Sequence, residues 1–136
     1  MNLFIPGIPV AQPRHRTGRN GRTYEAERGH PIYAYKAAIK KAAKEPGGLT
    51  LAGPVEVDFE FVFPRLKTAS KKERWGMSKI SKPDIDNLVK AVFDALNGLA
   101  FFDDSQVAAV IASKRYVREG ELPGTLVKVR QFDDES

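Results

Sequence analysis

At the centre of the chain stands Val55-Glu56-Val57-Asp58-Phe59-Glu60-Phe61-Val62-Phe63, in which apolar and acidic residues alternate. Successive side chains of a β-strand point to opposite faces, so the pattern predicts a strand with valine and phenylalanine on one buried face. Its three acids then occupy the other face, which we expect to be exposed to solvent. One of them would reach a metal site if the strand lay centrally in its sheet.

The segments around this strand predict the remaining elements. Residues 31–45 carry apolar side chains at helical spacing and predict a helix, and residues 86–99 predict a second, amphipathic helix. Residues 107–117 and 125–132 predict two more strands joined by a hairpin at 119–124, and the proline-containing residues 3–10 predict an edge strand. The expected fold is therefore one α/β domain spanning residues 1–136, with two main helices packed on a mixed sheet of about four strands.

The composition narrows the class of protein. A chain of 136 residues with 42% hydrophobic and 29% charged residues is typical of one globular domain. The absence of cysteine excludes a disulfide framework, a thiolate nucleophile and a cysteine zinc site. No apolar run approaches the roughly 20 residues of a membrane span, and the first residues lack the features of a signal peptide. We therefore expect a cytoplasmic protein with no membrane partner.

Charge is distributed unevenly along the chain. The first 82 residues contain 16 lysines and arginines against seven acids, whereas the remaining 54 contain six against ten. The net charge is +5 and the isoelectric point about 9.5. A basic first part favours a polyanionic partner such as nucleic acid, although basic loops that only keep a protein soluble give the same composition.

Two segments concentrate the positive charge: an arm at residues 11–30 and a loop at residues 64–82. The arm interleaves arginine with glycine and threonine and predicts a flexible segment with a turn at Asn20-Gly21. Arginine forms paired hydrogen bonds with phosphate oxygens, and an aromatic ring stacks on bases. The composition of both segments therefore suits contact with DNA. Alternatively, both segments are solvated loops, and Trp75 anchors its loop by hydrophobic contact. The acidic tail 133–136 is expected to be disordered. The candidate DNA-binding residues are Arg14, Arg16, Arg19, Arg22, Lys71, Lys72, Arg74, Lys79 and Lys82.

Acidic residues gather at both ends of the second helix. Asp84 and Asp86 lie where it begins, near the positive end of the helix dipole, and Asp103 and Asp104 follow its far end. Clustered carboxylates repel one another and are usually gathered around a hard cation such as Mg²⁺. Each acid also has an ordinary explanation as a helix cap or a turn residue. The chain must turn back for the second pair to reach the first.

The run Lys82-Pro83-Asp84-Ile85-Asp86-Asn87-Leu88-Val89-Lys90, with Asp94-Ala95-Leu96 and then Asp103-Asp104-Ser105-Gln106-Val107, closely resembles the RusA-like family of Holliday-junction resolvases. The opening residues 5–10 and the arginine arm are similar to that family's N-terminus. The resemblance implies a small homodimeric endonuclease, often encoded by prophages, that depends on Mg²⁺ or Mn²⁺. Its substrate would be branched DNA, cut symmetrically at four-way junctions during recombination and repair.

By position, the resemblance implies Asp84, Asp86 and Asp104 as catalytic metal ligands, Lys90 as the essential lysine and Asp103 as a supporting ligand. Asp94 is expected to stabilise the helix or to pair with Lys90. Family members often have arginine directly before the first acid, whereas this chain has Lys82-Pro83, so backbone contacts are expected from Lys82 and Lys79. A nuclease acting on other branched DNA, a non-catalytic DNA-binding module and a phage structural protein remain open.

Overall fold

The computed structural model describes residues 1–13, 16–17, 23–24, 28–45, 49–66 and 74–133. In chain order the strands and helices are β1 (Asn2–Pro6), β2 (Arg16–Thr17), β3 (Thr23–Tyr24), α1 (Pro31–Lys44), β4 (Val55–Phe63), α2 (Ile85–Leu96), β5 (Val107–Tyr116) and β6 (Gly124–Gln131). A short 3₁₀ turn, Asp104–Gln106, precedes β5. Over these residues, no helix has the length and apolar character needed to cross a membrane.

Four strands form one mixed sheet in the order β1-β6-β4-β5. β4 is antiparallel to β6 and parallel to β5, so β4, α2 and β5 make a βαβ unit. The central position of β4 accounts for its apolar alternation, because Val55, Val57 and Phe61 are completely buried. This confirms the expected α/β fold with a four-stranded mixed sheet and two helices.

Both helices pack on the same face of the sheet. Ile39 of α1 and Leu88 of α2 are completely buried against the apolar face of β4. The Tyr35 hydroxyl of α1 lies 2.6 Å from Thr125 Oγ1 of β6, and burial raises the pKa of Tyr35 to about 12. These contacts fix α1 and α2 relative to the sheet and so fix where α2 begins.

The connection between β5 and β6 corrects the expected hairpin. The two strands lie on opposite sides of β4, so residues 117–123 cross the end of β4 instead of closing a tight turn. The hairpin prediction was wrong because it assumed that consecutive strands pair, whereas the apolar β4 pairs along both edges. Arg115 braces the crossing: it contacts Glu60 of β4 and donates two hydrogen bonds of 2.6 and 2.8 Å to Glu121.

The acids of β4 are less exposed than expected. Glu56, Asp58 and Glu60 are half-buried, and their partners come from the flanking strands. Arg130 of β6 contacts Glu56 and lies 3.6 Å from Asp58, while Arg115 of β5 contacts Glu60. These acids therefore belong to a layer of ion pairs on the face of the sheet opposite the helices.

The bounds of α2 differ slightly from the prediction. The helix begins at Ile85 and ends at Leu96 instead of running to residue 99. The helix ends there because Gly98, which follows the C-cap Asn97, adopts a φ of 80°, a left-handed conformation that ends a helix.

Candidate functional site

The first acid of the motif occupies the N-cap position of α2. Asp84 has extended backbone angles of −69° and 142°, yet within the described residues its carboxylate makes no capping hydrogen bond. Its Oδ2 instead lies 2.8 Å from the Nζ of Lys82. Since an N-cap aspartate ordinarily accepts from the first turn of its helix, capping does not explain this carboxylate.

The second acid lies in the first turn of the same helix. Asp86 is exposed, and its Oδ1 accepts a 2.9 Å hydrogen bond from the backbone N–H of Asn87. Both carboxylates therefore lie at the positive end of the α2 dipole, where negative charge and a bound anion or carboxylate are stabilising. Ionised carboxylate oxygens are the ligands that Mg²⁺ prefers.

The loop that leads to these acids is attached to the free edge of β5. Lys79 donates its backbone N–H to the Lys114 carbonyl at 3.0 Å, and the Tyr116 N–H donates to the Met77 carbonyl at 2.9 Å. The Lys79 Nζ donates to Ser81 Oγ at 2.8 Å and lies 5.2 Å from the ring centroids of Phe63 and Tyr116. The sheet thus holds Lys79 close to the start of α2.

Lys114 of β5 is a residue that the sequence interpretation missed. Its Nζ donates to the carbonyl oxygens of Ser81 at 2.6 Å and Pro83 at 2.8 Å, directly before Asp84. Burial lowers the pKa of Lys114 and the neighbouring Lys79 lowers it further, while Asp84 raises it. The signal was present in the sequence, because alternation along β5 places this lysine on the apolar, helix-facing side.

The arginine arm starts next to Asp84 and Asp86, the pair of acids at the start of α2. The backbone N–H of Gln12 donates to the Asn87 carbonyl in the first turn of α2 at 2.9 Å. Further along, Arg16-Thr17 pairs with Thr23-Tyr24 as a short antiparallel ladder. The remaining predicted DNA contacts of the arm and loop lie outside the described residues: Arg14, Arg19, Arg22, Lys71 and Lys72.

The end of the basic loop nearest the acids is described. Arg74 and Lys82 are exposed there, and Lys79 is half-buried against the two aromatic rings. Trp75 is 48% exposed, with the Arg65 guanidinium 5.1 Å from its ring centroid. One face of the indole is thus covered by a cation, and much of the ring remains accessible.

Lys90 and Asp94 continue along α2 on the side of Asp86. Lys90 is exposed one turn beyond that acid. The Asp94 carboxylate lies 3.6 Å from the Nζ of Lys36, so its ion-pair partner is a lysine of α1 and not the expected Lys90. Asp94 therefore joins the two helices.

The second pair of acids forms a turn before β5. The Asp103 carboxylate accepts from the Ser105 N–H at 3.2 Å and caps the 3₁₀ turn, and the hydrogen bonds from Ser105 lower the pKa of Asp103. Asp104 is exposed at the first position of the turn. Capping occupies Asp103, so Asp104 is the better candidate for a metal ligand.

Gln106 holds this turn in place through four hydrogen bonds to the backbone. Its Oε1 accepts from the N–H groups of Phe102 at 2.7 Å and Asp103 at 3.0 Å. Its Nε2 donates to the carbonyls of Leu51 and Gly53, both at 2.9 Å. The glutamine of the motif is therefore a structural residue that positions Asp104, a role that spacing alone did not reveal.

The two pairs of acids lie at opposite ends of the βαβ unit. Val107 pairs with Val55, whereas Lys114, which contacts the residues before Asp84, pairs with Phe61. Six strand residues at about 3.3 Å each separate these ends by roughly 20 Å. Accordingly, the residues that the structure describes contain no group of three or more acids or histidines that could hold a metal ion. Asp84 and Asp86 have suitable oxygens for Mg²⁺, but one chain does not bring Asp104 to them.

Comparison with known proteins identifies the family. The model of the family described as Endodeoxyribonuclease RusA matches residues 6–130. The uncharacterized protein YqaN of Bacillus subtilis (strain 168) is 35% identical over 139 residues, 96% of each chain. The crossover junction endodeoxyribonuclease rusA of Lactococcus phage r1t is 32% identical over 88 residues, 64% of this chain and 63% of the phage protein. The chain therefore belongs to the RusA endodeoxyribonuclease family.

Proposed function

We propose that the chain is a metal-dependent endonuclease that resolves four-way DNA junctions by paired, symmetric hydrolysis of phosphodiester bonds, in DNA recombination and repair. The observation that carries this proposal is the setting of Asp84: an N-cap carboxylate not used for capping by the described residues, which contacts the exposed Lys82, while Lys114 holds the backbone directly before it. Acids that hold a cation beside lysines that hold phosphate are what phosphodiester hydrolysis needs.

The side chains divide this work between them. A Mg²⁺ or Mn²⁺ ion held by Asp84 and Asp86 would activate water and neutralise phosphate charge. Lys90, exposed one turn from Asp86, stabilises negative charge on the phosphate. Arg74 and Lys79 hold the DNA backbone on the approach to the acids.

Lys82 exchanges partners when DNA and metal arrive. Its side chain is 80% exposed, and its contact with Asp84 is an exposed ion pair. Such pairs stabilise the folded protein by about 0–1 kcal/mol, so little free energy is needed to break the contact. A metal held by Asp84 would replace this ion pair, and the Lys82 ammonium would then be available to a DNA phosphate.

The third acid of each site comes from a second copy of the chain. The separation of Asp104 from Asp84 by roughly 20 Å is too large for a shared ion, whose oxygen ligands lie about 2.1 Å away. A two-fold axis would place Asp104 of the partner subunit beside Asp84 and Asp86, and would do so twice. Two such sites make the paired cuts that junction resolution requires.

The deciding experiment compares four-way junctions, forks, flaps and linear duplex of matched sequence, with and without Mg²⁺. We expect paired symmetric cuts in the junction only, and only with the metal. Cutting without metal, or equal cutting of duplex, would contradict the proposal. Preferred cutting of forks or flaps would instead favour a nuclease for other branched DNA.

Two matched variants of α2 test whether the cleavage activity depends on Asp84. Asp84→Asn should lower the cleavage rate by more than ~100-fold while junction binding persists, because the amide removes the charge that holds the metal. Asp94→Asn serves as the control, since Asp94 lies on α2 but pairs with Lys36 of α1. Binding of DNA without cutting by the unmodified chain would indicate the non-catalytic module instead.

A further inference from the structure

The start of α2 is held by a lysine of a neighbouring strand. Lys114 belongs to β5, and its Nζ reaches two carbonyl oxygens, those of Ser81 and Pro83, at 2.6 and 2.8 Å. These carbonyls lie one and three residues before Asp84. The backbone that carries the first acid is therefore attached to the sheet by two charge-assisted hydrogen bonds, which are stronger than neutral ones.

The same strand holds the preceding part of the loop through its backbone. Lys79 and Met77 exchange hydrogen bonds with Lys114 and Tyr116 of β5. Beyond Lys79 the loop leaves the strand edge, and the Lys114 side chain extends the attachment to Pro83. At that point Asp84 starts α2, and its carbonyl accepts the first helical bond from Leu88 at 3.3 Å.

A role as a plain DNA contact fits Lys114 poorly. Two of its three N–H donors are occupied by carbonyls, and the residue is half-buried on the helix-facing side of the sheet. Lys82, in comparison, has a side chain that is 80% exposed. The accessible Lys82 is therefore suited to bind a phosphate, whereas the half-buried Lys114 is suited to a fixed structural contact.

We propose that Lys114 is the positioning residue of the acid pair: by fixing the carbonyls of Ser81 and Pro83, it sets the direction in which Asp84 presents its carboxylate to the metal. This inference rests on the proposed function, because it concerns the same site. Residues that orient a metal ligand typically contribute a factor of 10–100 in metal affinity or activity.

The test measures metal binding separately from cutting. Mn²⁺ is titrated calorimetrically into the full-length protein, and cleavage of the junction is followed as a function of Mn²⁺ concentration. Lys114→Met, similar in length but without donors, should weaken Mn²⁺ binding about 10–100-fold and raise the Mn²⁺ concentration for half-maximal cutting to match. Metal-free junction affinity should stay within about twofold. Lys114→Arg, which keeps charge and donors, should recover most of the loss.

Lys128→Met provides the control, since Lys128 is also a strand lysine but lies exposed on the opposite face of the sheet. Hydrogen exchange of the Leu88 amide adds a readout independent of activity, and it should become faster in Lys114→Met than in Lys128→Met. Unchanged Mn²⁺ affinity in Lys114→Met, or weaker metal-free DNA binding alone, would overturn the inference. If the unmodified protein neither bound Mn²⁺ nor cut junctions, the proposed function itself would fail.

Discussion

At the scale of single residues, adjacent acids with the same side chain have different tasks. Asp103 accepts a hydrogen bond from Ser105 and caps the turn, while Asp104 beside it is exposed. The side-chain oxygen and nitrogen of Gln106 make four hydrogen bonds to backbone groups, and these bonds fix the turn. The structural demand is therefore met by Asp103 and Gln106, and Asp104 is available for chemistry.

Asparagine substitutions separate these two tasks. Asparagine caps a helix about as well as aspartate, so Asp103→Asn should keep both the thermal unfolding midpoint and most of the cutting activity. Asp104→Asn should also keep the midpoint but lose cutting by more than ~100-fold, because the charge toward the metal is gone. Thermal unfolding and junction cleavage measure the two effects. An inactive Asp103→Asn with an active Asp104→Asn would reverse the assignment.

At the scale of elements, β5 positions both pairs of acids, one pair at each of its ends. Its start follows the turn that carries Asp104, and near its end Lys114 holds the residues before Asp84. The adjacent Arg115 points to the other face and joins Glu60 of β4 to Glu121 in the crossing toward β6. One strand therefore sets the spacing of the acids and stabilises the crossing that follows it.

The contact of Arg115 with Glu121 predicts a dependence of stability on acid pH. The hydrogen bonds from Arg115 lower the pKa of Glu121 from 4.5 to about 2. A depressed folded-state pKa stabilises the fold above the unfolded-state value, and this stabilisation is lost as pH falls from about 4.5 through 2. Urea unfolding across that range should show a shallower loss in Glu121→Gln than in the unmodified chain. Glu119→Gln, an exposed acid of the same crossing, should retain the full slope.

At the scale of the whole molecule, the proposed function shares each site between two subunits, because the acids of one chain lie far apart. Each proposed site takes Asp84 and Asp86 from one chain and Asp104 from the other. The assembly is then inactive as a monomer, and two sites are formed at once or not at all. For a nuclease that must cut two strands of one junction, this couples catalysis to the symmetry of the substrate.

Mixing two inactive variants tests the shared site. In a dimer of one Asp84→Asn chain and one Asp104→Asn chain, one shared site carries both substitutions and the other is intact. Such mixed dimers should therefore recover nicking of one strand, whereas each variant alone stays inactive. Gel analysis of refolded or co-expressed mixtures distinguishes nicked from paired products. If the mixture remains inactive although mixed dimers form, each chain contains its own complete site.

Local sequence patterns predicted the helices and strands. Non-local contacts decided the order of the strands and which residues surround the candidate site. The alternation over Val55–Phe63 gave the strand with its observed bounds, because period two is a property of neighbouring residues. The order of strands depends on which edges of β4 are paired, so the expected hairpin was wrong. The acid motif located the candidate site, but Lys114, 30 residues beyond Asp84, joins it only through the register of β5.

The attachment of residues 77–79 to β5 also affects how the protein behaves in concentrated solution. An open strand edge is a template on which another chain can add a strand, and this segment covers the edge of β5 at Lys114 and Tyr116. A substitution that detached the loop would expose backbone donors and acceptors at the border of the sheet. Loss of cutting would then be accompanied by aggregation, whereas Asp84→Asn, which leaves the edge covered, should yield an inactive protein that stays dispersed.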